Sequence, residues 1–223
     1  MDFTPIWLTL KLAGITTLIL LAVGLPVAWW LSKGRSFFKI ILEALITMPL
    51  VLPPSVLGFY LLLAFTPQHG LGKWLQQTFD VQFVFSFKGL VLASVIYSMP
   101  FMIGPIKSAL QQLPVSLSEA SFSLGKTKWQ TFIYVQLPNI RPSLLTAIIL
   151  TFAHTLGEFG VVLMIGGNIP NITRVASIAV YDAVEQMDYS SANAYSFILF
   201  SITFILVIAV FVFNKYQAKS PLE

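Results

Sequence analysis

The run LAGITTLILLAVGLPVAWWL, residues 12–31, decides the fold: it holds 20 consecutive positions without a charge. An α-helix of about 20 residues, rising about 1.5 Å per residue, crosses the ~30 Å hydrocarbon core of a bilayer. The run is too long for the apolar core of a secretion signal, and it leads through Trp29-Trp30 to Lys33 rather than to a small-residue cleavage site. It is therefore expected to stay in the mature chain as a span. Working outward, further uncharged runs occupy 44–66, 89–106, 142–157 (continuing past Glu158 to about 166) and 189–214. They place spans near 8–31, 42–66, 89–107, 142–166 and 192–214, all within one membrane domain over 8–214. Five crossings follow, or six if Pro49, Pro53 and Pro54 split the second run into two short segments. The expected fold class is an all-α integral membrane domain.

Composition agrees. Of the 223 residues, 57% are hydrophobic and 10% charged, with a mean hydropathy of +0.83, whereas soluble domains carry about 25% charged residues. A few membrane helices use up this length, which leaves no room for a soluble catalytic domain, so any energy source belongs to a partner or a gradient. The net charge of +4 is that of basic cytoplasmic loops rather than of a nucleic-acid binder. With no cysteine, disulfides, iron–sulfur clusters and thiolate metal sites are excluded. The only histidines are His69 and His154. His69 falls in a polar loop, so a bis-histidine haem inside the membrane lacks ligands. No catalytic residue and no metal ligand set is assigned.

Basic residues set the expected orientation. With the N-terminus outside, Lys33, Arg35, Lys39, Lys107, Lys126, Lys128, Arg141, Lys215 and Lys219 fall in the cytoplasm. Lys11, Lys73, Lys88 and Arg174 remain outside, nine against four. The acidic group Asp182, Glu185 and Asp188 then lies in the last external loop, where acids have little influence on topology.

Residues 111–141 are too polar to cross and too patterned for a slack loop. Ser116-x-x-Glu119 suggests a capping box, Leu117, Ala120 and Leu124 share a helical face, and Gly125 is a natural left-handed stop. A second helix is expected from Lys128, carrying Trp129, Phe132, Ile133 and Val135 and ending before Pro138. An apolar helical hairpin outside the membrane is either a docking surface or a loop folded onto its own bundle.

Glu119-Ala120-Ser121, then Gly125, then Val135-Gln136-Leu137-Pro138 resembles the loop of ABC importer permeases that reads Glu-Ala-Ala, three residues, Gly, nine residues, then a β-branched residue, any residue and Leu-Pro. Both spacings match. Ser121 stands where Ala is usual and Val135 where Ile is usual, and both keep the residue class. The resemblance implies a type I importer permease fold whose cytoplasmic coupling loop, 111–138, docks into the ATPase subunit, with Glu119, Ala120, Gly125, Leu137 and Pro138 as coupling positions. The overlapping Ala120-x-x-x-x-Gly125-Lys126-Thr127 meets a relaxed phosphate-binding loop pattern. It lacks the preceding strand, the following long helix and the Mg²⁺-holding acid such a loop needs.

In the fourth span, His154 and Glu158 are expected one turn apart on one helix face. An ionisable group at membrane depth costs about 2.5–3.5 kcal/mol on insertion scales, which makes it a functional candidate. Thr151, His154, Thr155 and Glu158 are the candidate pathway or gate residues. Structurally, Glu158 could instead lock helices together. The pattern Gly157-Glu158-Phe159-Gly160, Gly166-Gly167-Asn168-Ile169-Pro170, Thr173-Arg174, Ser177, Tyr181-Asp182 and Asp188-Tyr189 resembles the molybdate and sulfate permeases, the longer part leaning to molybdate. Asn171 departs from that pattern, where Gly is expected, and tolerates the same left-handed backbone.

The resemblance implies a homodimer, two cytoplasmic ATP-binding subunits that hold ATP and Mg²⁺, an external or periplasmic substrate-binding protein, and a place in the inner membrane of a prokaryote. The chain itself would bind no cofactor and no nucleic acid. A dianion would be repelled by Glu158, and no Arg or Lys sits mid-membrane; selectivity would then lie in the binding protein and the path would be hydroxyls and backbone groups. Sulfate or tungstate are the alternative cargoes. A proton-coupled transporter using His154 and Glu158 is the rival class; it predicts inverted repeats, which the chain lacks. An intramembrane serine protease lacks its nucleophile turn.

Overall fold

In hydrocarbon every backbone N–H and C=O has to be satisfied within its own segment, and a helix does this locally, so the apolar runs become helices. A computed structural model describes residues 2–34, 36–68 and 70–218, with side chains as far as Phe213. Arg35, His69 and Lys219, which entered the reading of charge and ligands, lie outside the described residues, as does the side chain of Lys215. All regular structure among the described residues is helical. The helices α1 (Thr4–Ser32), α5 (Phe87–Gln112) and α12 (Tyr189–Ala218) are long and apolar enough to cross a membrane.

The second run is an elbow. Helix α2 (Phe37–Thr47) and a 3₁₀ turn (Met48–Leu50) lead into α3 (Pro54–Phe65) through a bend of 114°. Pro49 lies in the turn, and Pro53 and Pro54 open α3, where missing N–H donors cost least. Helix α4 (Gly70–Phe79) returns the chain to α5. The hairpin comprises α6 (Val115–Ser123), α7 (Lys128–Thr131), a π-helical turn (Phe132–Gln136) and α8 (Leu137–Asn139), which meets α9 (Arg141–Leu156) at 77°. Three straight spans and two bent pairs bring the crossings to five at most.

The fourth run differs from expectation. It does not continue through Glu158: α9 ends at Leu156 and α10 (Gly160–Gly166) starts afresh, before α11 (Ala176–Glu185). The 16 residues of α9 reach only about 24 Å. The break falls at Gly157-Glu158-Phe159, and α10 presses against the elbow, where a Cβ on Gly160 would lie 2.9 Å from that of Pro54.

Two apolar clusters stack along the bundle. One, at the Phe87 end, joins Leu8 and Leu12 to Leu90, Ala93, Val161 and Ile178. The other, at the Lys33 end, joins Leu20, Ala28 and Leu31 to Met102, Ile106 and Phe132. The same order of contacts along both helices means that α1 and α5 run parallel. Most of α12 stands apart, with only 6% of its most apolar window buried.

Candidate functional site

Pro114, with φ −56° and ψ 133°, ends α5's exit and starts α6 without a side-chain cap. The expected Ser116–Glu119 capping box does not form, because the proline fixes the helix start ahead of Ser116. A capping box forms instead on the second helix, where Gln130 N–H donates to Thr127 Oγ1 (3.2 Å) and Thr127 N–H to Gln130 Oε1 (3.0 Å). Its signal, Thr-x-x-Gln, was present in the sequence. Gly125 takes φ +77°, the left-handed stop expected of it, and what precedes it is helix, not strand.

The face of α6 is also turned from expectation. Ser121 is buried and shares a hydrogen bond with Thr131 Oγ1 (2.9 Å), while Ala120 points outward and Leu124 is 81% exposed. A polar side chain wins the inner position because it has a buried partner there. The second helix does not stop before Pro138. It runs on through the π turn to Asn139, and the proline is taken in at the start of α8, where its missing donor is not needed.

The hairpin is braced against the bundle by this second helix. Phe132 is 2% exposed and packs on Trp29 (ring centroids 4.8 Å) and Trp129 (5.5 Å). Trp29 Nε1 donates to Gln136 Oε1 (3.0 Å), whose Nε2 donates to Ser118 Oγ (3.1 Å), so α1, α6 and the π turn are tied in one chain. Leu137 packs against the same apolar cluster, and Pro138 is half-buried. Outward, Val115, Phe122, Leu124, Trp129 and Tyr134 are left uncovered beside exposed Glu119. Both readings of the loop therefore hold at once: one helix is folded on the bundle and the other is presented. Near its base Lys107 pairs with Glu43, and Lys39 donates to the last carbonyls of α1, Trp30 O (2.6 Å) and Lys33 O.

The interior residues fall elsewhere. His154 Nδ1 is 3.0 Å from Ser98 Oγ, which also meets Thr155 Oγ1 (3.1 Å); Thr155 donates on to Thr151 O (2.9 Å). The His154 ring stacks on Phe101 (4.0 Å) and approaches Tyr97 (4.9 Å). Glu158 does not share a helix face with His154, since it sits in the break after α9. Its carbonyl accepts from Ser177 Oγ (2.6 Å), and its carboxyl is 5% exposed beside Ser94 with neither oxygen hydrogen-bonded. Thr151, Thr155 and Glu158 are thus buried inside one subunit, not on an open surface. Ser94, Ser98 and Ser177 were missed in the sequence; isolated serines in apolar runs give no signal there.

At the Phe87 end, Asn171 takes φ +64°, so it does hold the left-handed turn a glycine would hold. Thr173 Oγ1 donates to Gly166 O (2.8 Å), and Arg174 binds Asn168 Oδ1 (2.6 Å) and Asp182 (3.4 Å), closing the 166–182 segment on itself.

The binding-protein-dependent transport system inner membrane component model matches residues 17–221. The molybdenum transport system permease protein ModB of Azotobacter vinelandii is 45% identical over 219 residues, 97% of this chain and 96% of that one. The sulfate transport system permease protein CysT of Escherichia coli (strain K12) is 32% identical, covering 88% and 69%. A structure of the MetNI methionine ABC transporter superposes with a TM-score of 0.74 at 18% identity, covering 95% of this chain and 94% of that one.

Proposed function

The chain belongs to the family of binding-protein-dependent transport system inner membrane components, and from that membership we propose that it is the permease subunit that carries molybdate inward through an ATP-driven importer. It is a multi-pass protein of the inner membrane. Molybdate is favoured over sulfate because the molybdenum permease is 45% identical and the sulfate permease 32%. Tungstate, a tetrahedral dianion of similar size, is the remaining alternative.

The observation that carries the mechanism is the hairpin, braced by Phe132 and Gln136 on one side and bare of partners on the other. Two copies of the permease line one pathway, and each docks an ATP-binding subunit through Glu119, Ala120, Gly125 and the exposed apolar residues of α6, with Leu137 and Pro138 transmitting the movement. ATP and Mg²⁺ are held by those partners. The N-terminus is outside and the C-terminus inside, so the hairpin meets them in the cytoplasm. ATP-driven closure draws the two hairpins together and turns the pathway outward, towards an external binding protein; hydrolysis resets it. The proton-relay reading loses ground, because His154 is engaged by Ser98 and the ring of Phe101 rather than by Glu158.

The test is reconstitution with the ATPase and the binding protein. Uptake of molybdate that requires ATP, ignores the proton gradient and is not displaced by excess sulfate is the expected result. Uptake that follows the proton gradient without ATPase would overturn the importer reading; displacement by sulfate would overturn the cargo alone.

A further inference from the structure

A layer of buried polar side chains has no part in the coupling just described. Gly24 of α1 seats against α5, where an added Cβ would lie 3.2 Å from the Met102 side chain. Since the helices are parallel, stepping eight residues back along each puts Thr16 level with Ser94. Helix α9 runs the other way: Ser98 meets His154 and Thr155, and a turn nearer the Phe87 end Ser94 neighbours Glu158. All three helices thus interrupt their buried apolar stripes at one depth, between the two apolar clusters. The hydroxyls of Thr16, Thr17, Ser94 and Thr151 and both carboxyl oxygens of Glu158 are buried there without a hydrogen-bond partner. Such orphans are rare in folded proteins and each calls for an account.

We propose that this layer, Thr16, Thr17, Ser94 and Thr151 with Glu158 at its edge, is the plane on which the subunit switches between its two transport states, and that its polar groups gain partners in the state opposite to this one. The inference rests on the importer reading. Interlocked apolar cores have discrete arrangements and resist sliding. The half at the Phe87 end is interlocked: a Cβ on Gly58 would lie 2.7 Å from Met164 Cβ and one on Gly166 2.3 Å from Leu90 Cδ2. The other half is interlocked with the hairpin through Phe132. Between them small hydroxyl side chains leave little to disengage. The helix break at Gly157-Glu158-Phe159 lies at the same level, so α9 can move with the hairpin while α10 stays with α3. Ser98, His154 and Thr155, already joined, form the fixed point of the plane.

The experiment uses the full complex in nanodiscs, comparing wild type with the triple variant Thr16→Val, Ser94→Ala, Thr151→Val and with Glu158→Gln. Each hydroxyl that gains one ordinary hydrogen bond in the opposite state biases the equilibrium roughly fivefold, so the triple variant shifts it about a hundredfold towards the present state. Expected are a nucleotide-free permease melting at or above the wild-type temperature, spin-label distances across the external mouth that no longer change with ATP, and molybdate uptake reduced more than tenfold. Glu158→Gln, which still donates and accepts, keeps most of the uptake. A melting temperature that falls would mean that the hydroxyls are satisfied in this state, and overturns the proposal, as does a triple variant that transports at the wild-type rate. Wild-type uptake in the same discs tests the importer reading separately.

Discussion

Replacing Phe132 by alanine removes the side chain that holds the hairpin on the bundle. It is 2% exposed, with ring centroids 4.8 Å from Trp29 and 5.5 Å from Trp129, and truncating such a phenylalanine costs about 3–5 kcal/mol. The other ties are the Trp29–Gln136, Gln136–Ser118 and Ser121–Thr131 hydrogen bonds, each worth about 1 kcal/mol net. These cannot make up the loss. At about 1.4 kcal/mol per factor of ten, a loss near 4 kcal/mol lowers the docked population by close to three orders of magnitude. The spans pack through Leu12, Leu90, Ala93 and Met102 without Phe132, so insertion and recovery of the permease should be normal. Capture of the ATPase by tagged permease, and stimulation of ATP hydrolysis, should be lost in Phe132→Ala and largely kept in Phe132→Leu. A Phe132→Ala permease that couples like wild type would refute the idea that the hairpin has to be braced to act.

Glu119→Ala changes an exposed side chain and should alter thermal stability by less than about 0.5 kcal/mol, while abolishing ATPase stimulation; equal losses in both assays would assign it a structural role. Gly125, at φ +77° with open space around its Cβ position, should tolerate Asn, whereas Val should cost about 1–2 kcal/mol from backbone strain alone, read as a drop in melting temperature. Gly58→Ala overpacks the α3–α10 contact by about 1–3 kcal/mol, and Met164→Ala in the same chain should recover part of it, because the new Cβ would meet Met164 at 2.7 Å. Hydrogen bonds from Ser191 hold the Asp188 carboxyl below the ordinary carboxylate range. Its contribution to the start of α12 is therefore complete above that range and is lost as pH falls through the depressed value. Hydrogen exchange at the Ser191 amide should quicken on acidification, and Asp188→Ala should remove the pH dependence.

The long apolar runs of α1, α5 and α12 were legible because span length and hydropathy are properties of the segment alone. So was the turn at Gly125, and so was the left-handed turn at Asn171, since φ > 0 leaves few residue choices. The break at Gly157–Phe159 was not, because it depends on α10 pressing Gly160 against Pro54, a contact 106 positions away. The inner face of α6 was misjudged for a related reason: Ser121 is inward only because Thr131 lies opposite. The polar interior was seen from one side, with Glu158, His154, Thr151 and Thr155 visible on α9 and their neighbours Thr16, Ser94 and Ser98 hidden among apolar residues.

Helix α12 holds to the rest of the subunit chiefly where Tyr195 and Ala192 meet Ile6, Ala176 and Ala179, and where the Tyr195 hydroxyl donates to Asp2 O (2.8 Å). Its outward row, Phe197, Phe200, Phe204, Ile208 and Phe211, faces hydrocarbon. Bilayer thickness therefore acts on this helix first: a thinner membrane can tilt it about the Tyr195 clasp at fractions of a kcal/mol per ångström without disturbing the packed helices, so that lipid composition is absorbed at the rim of the subunit rather than passed to its centre.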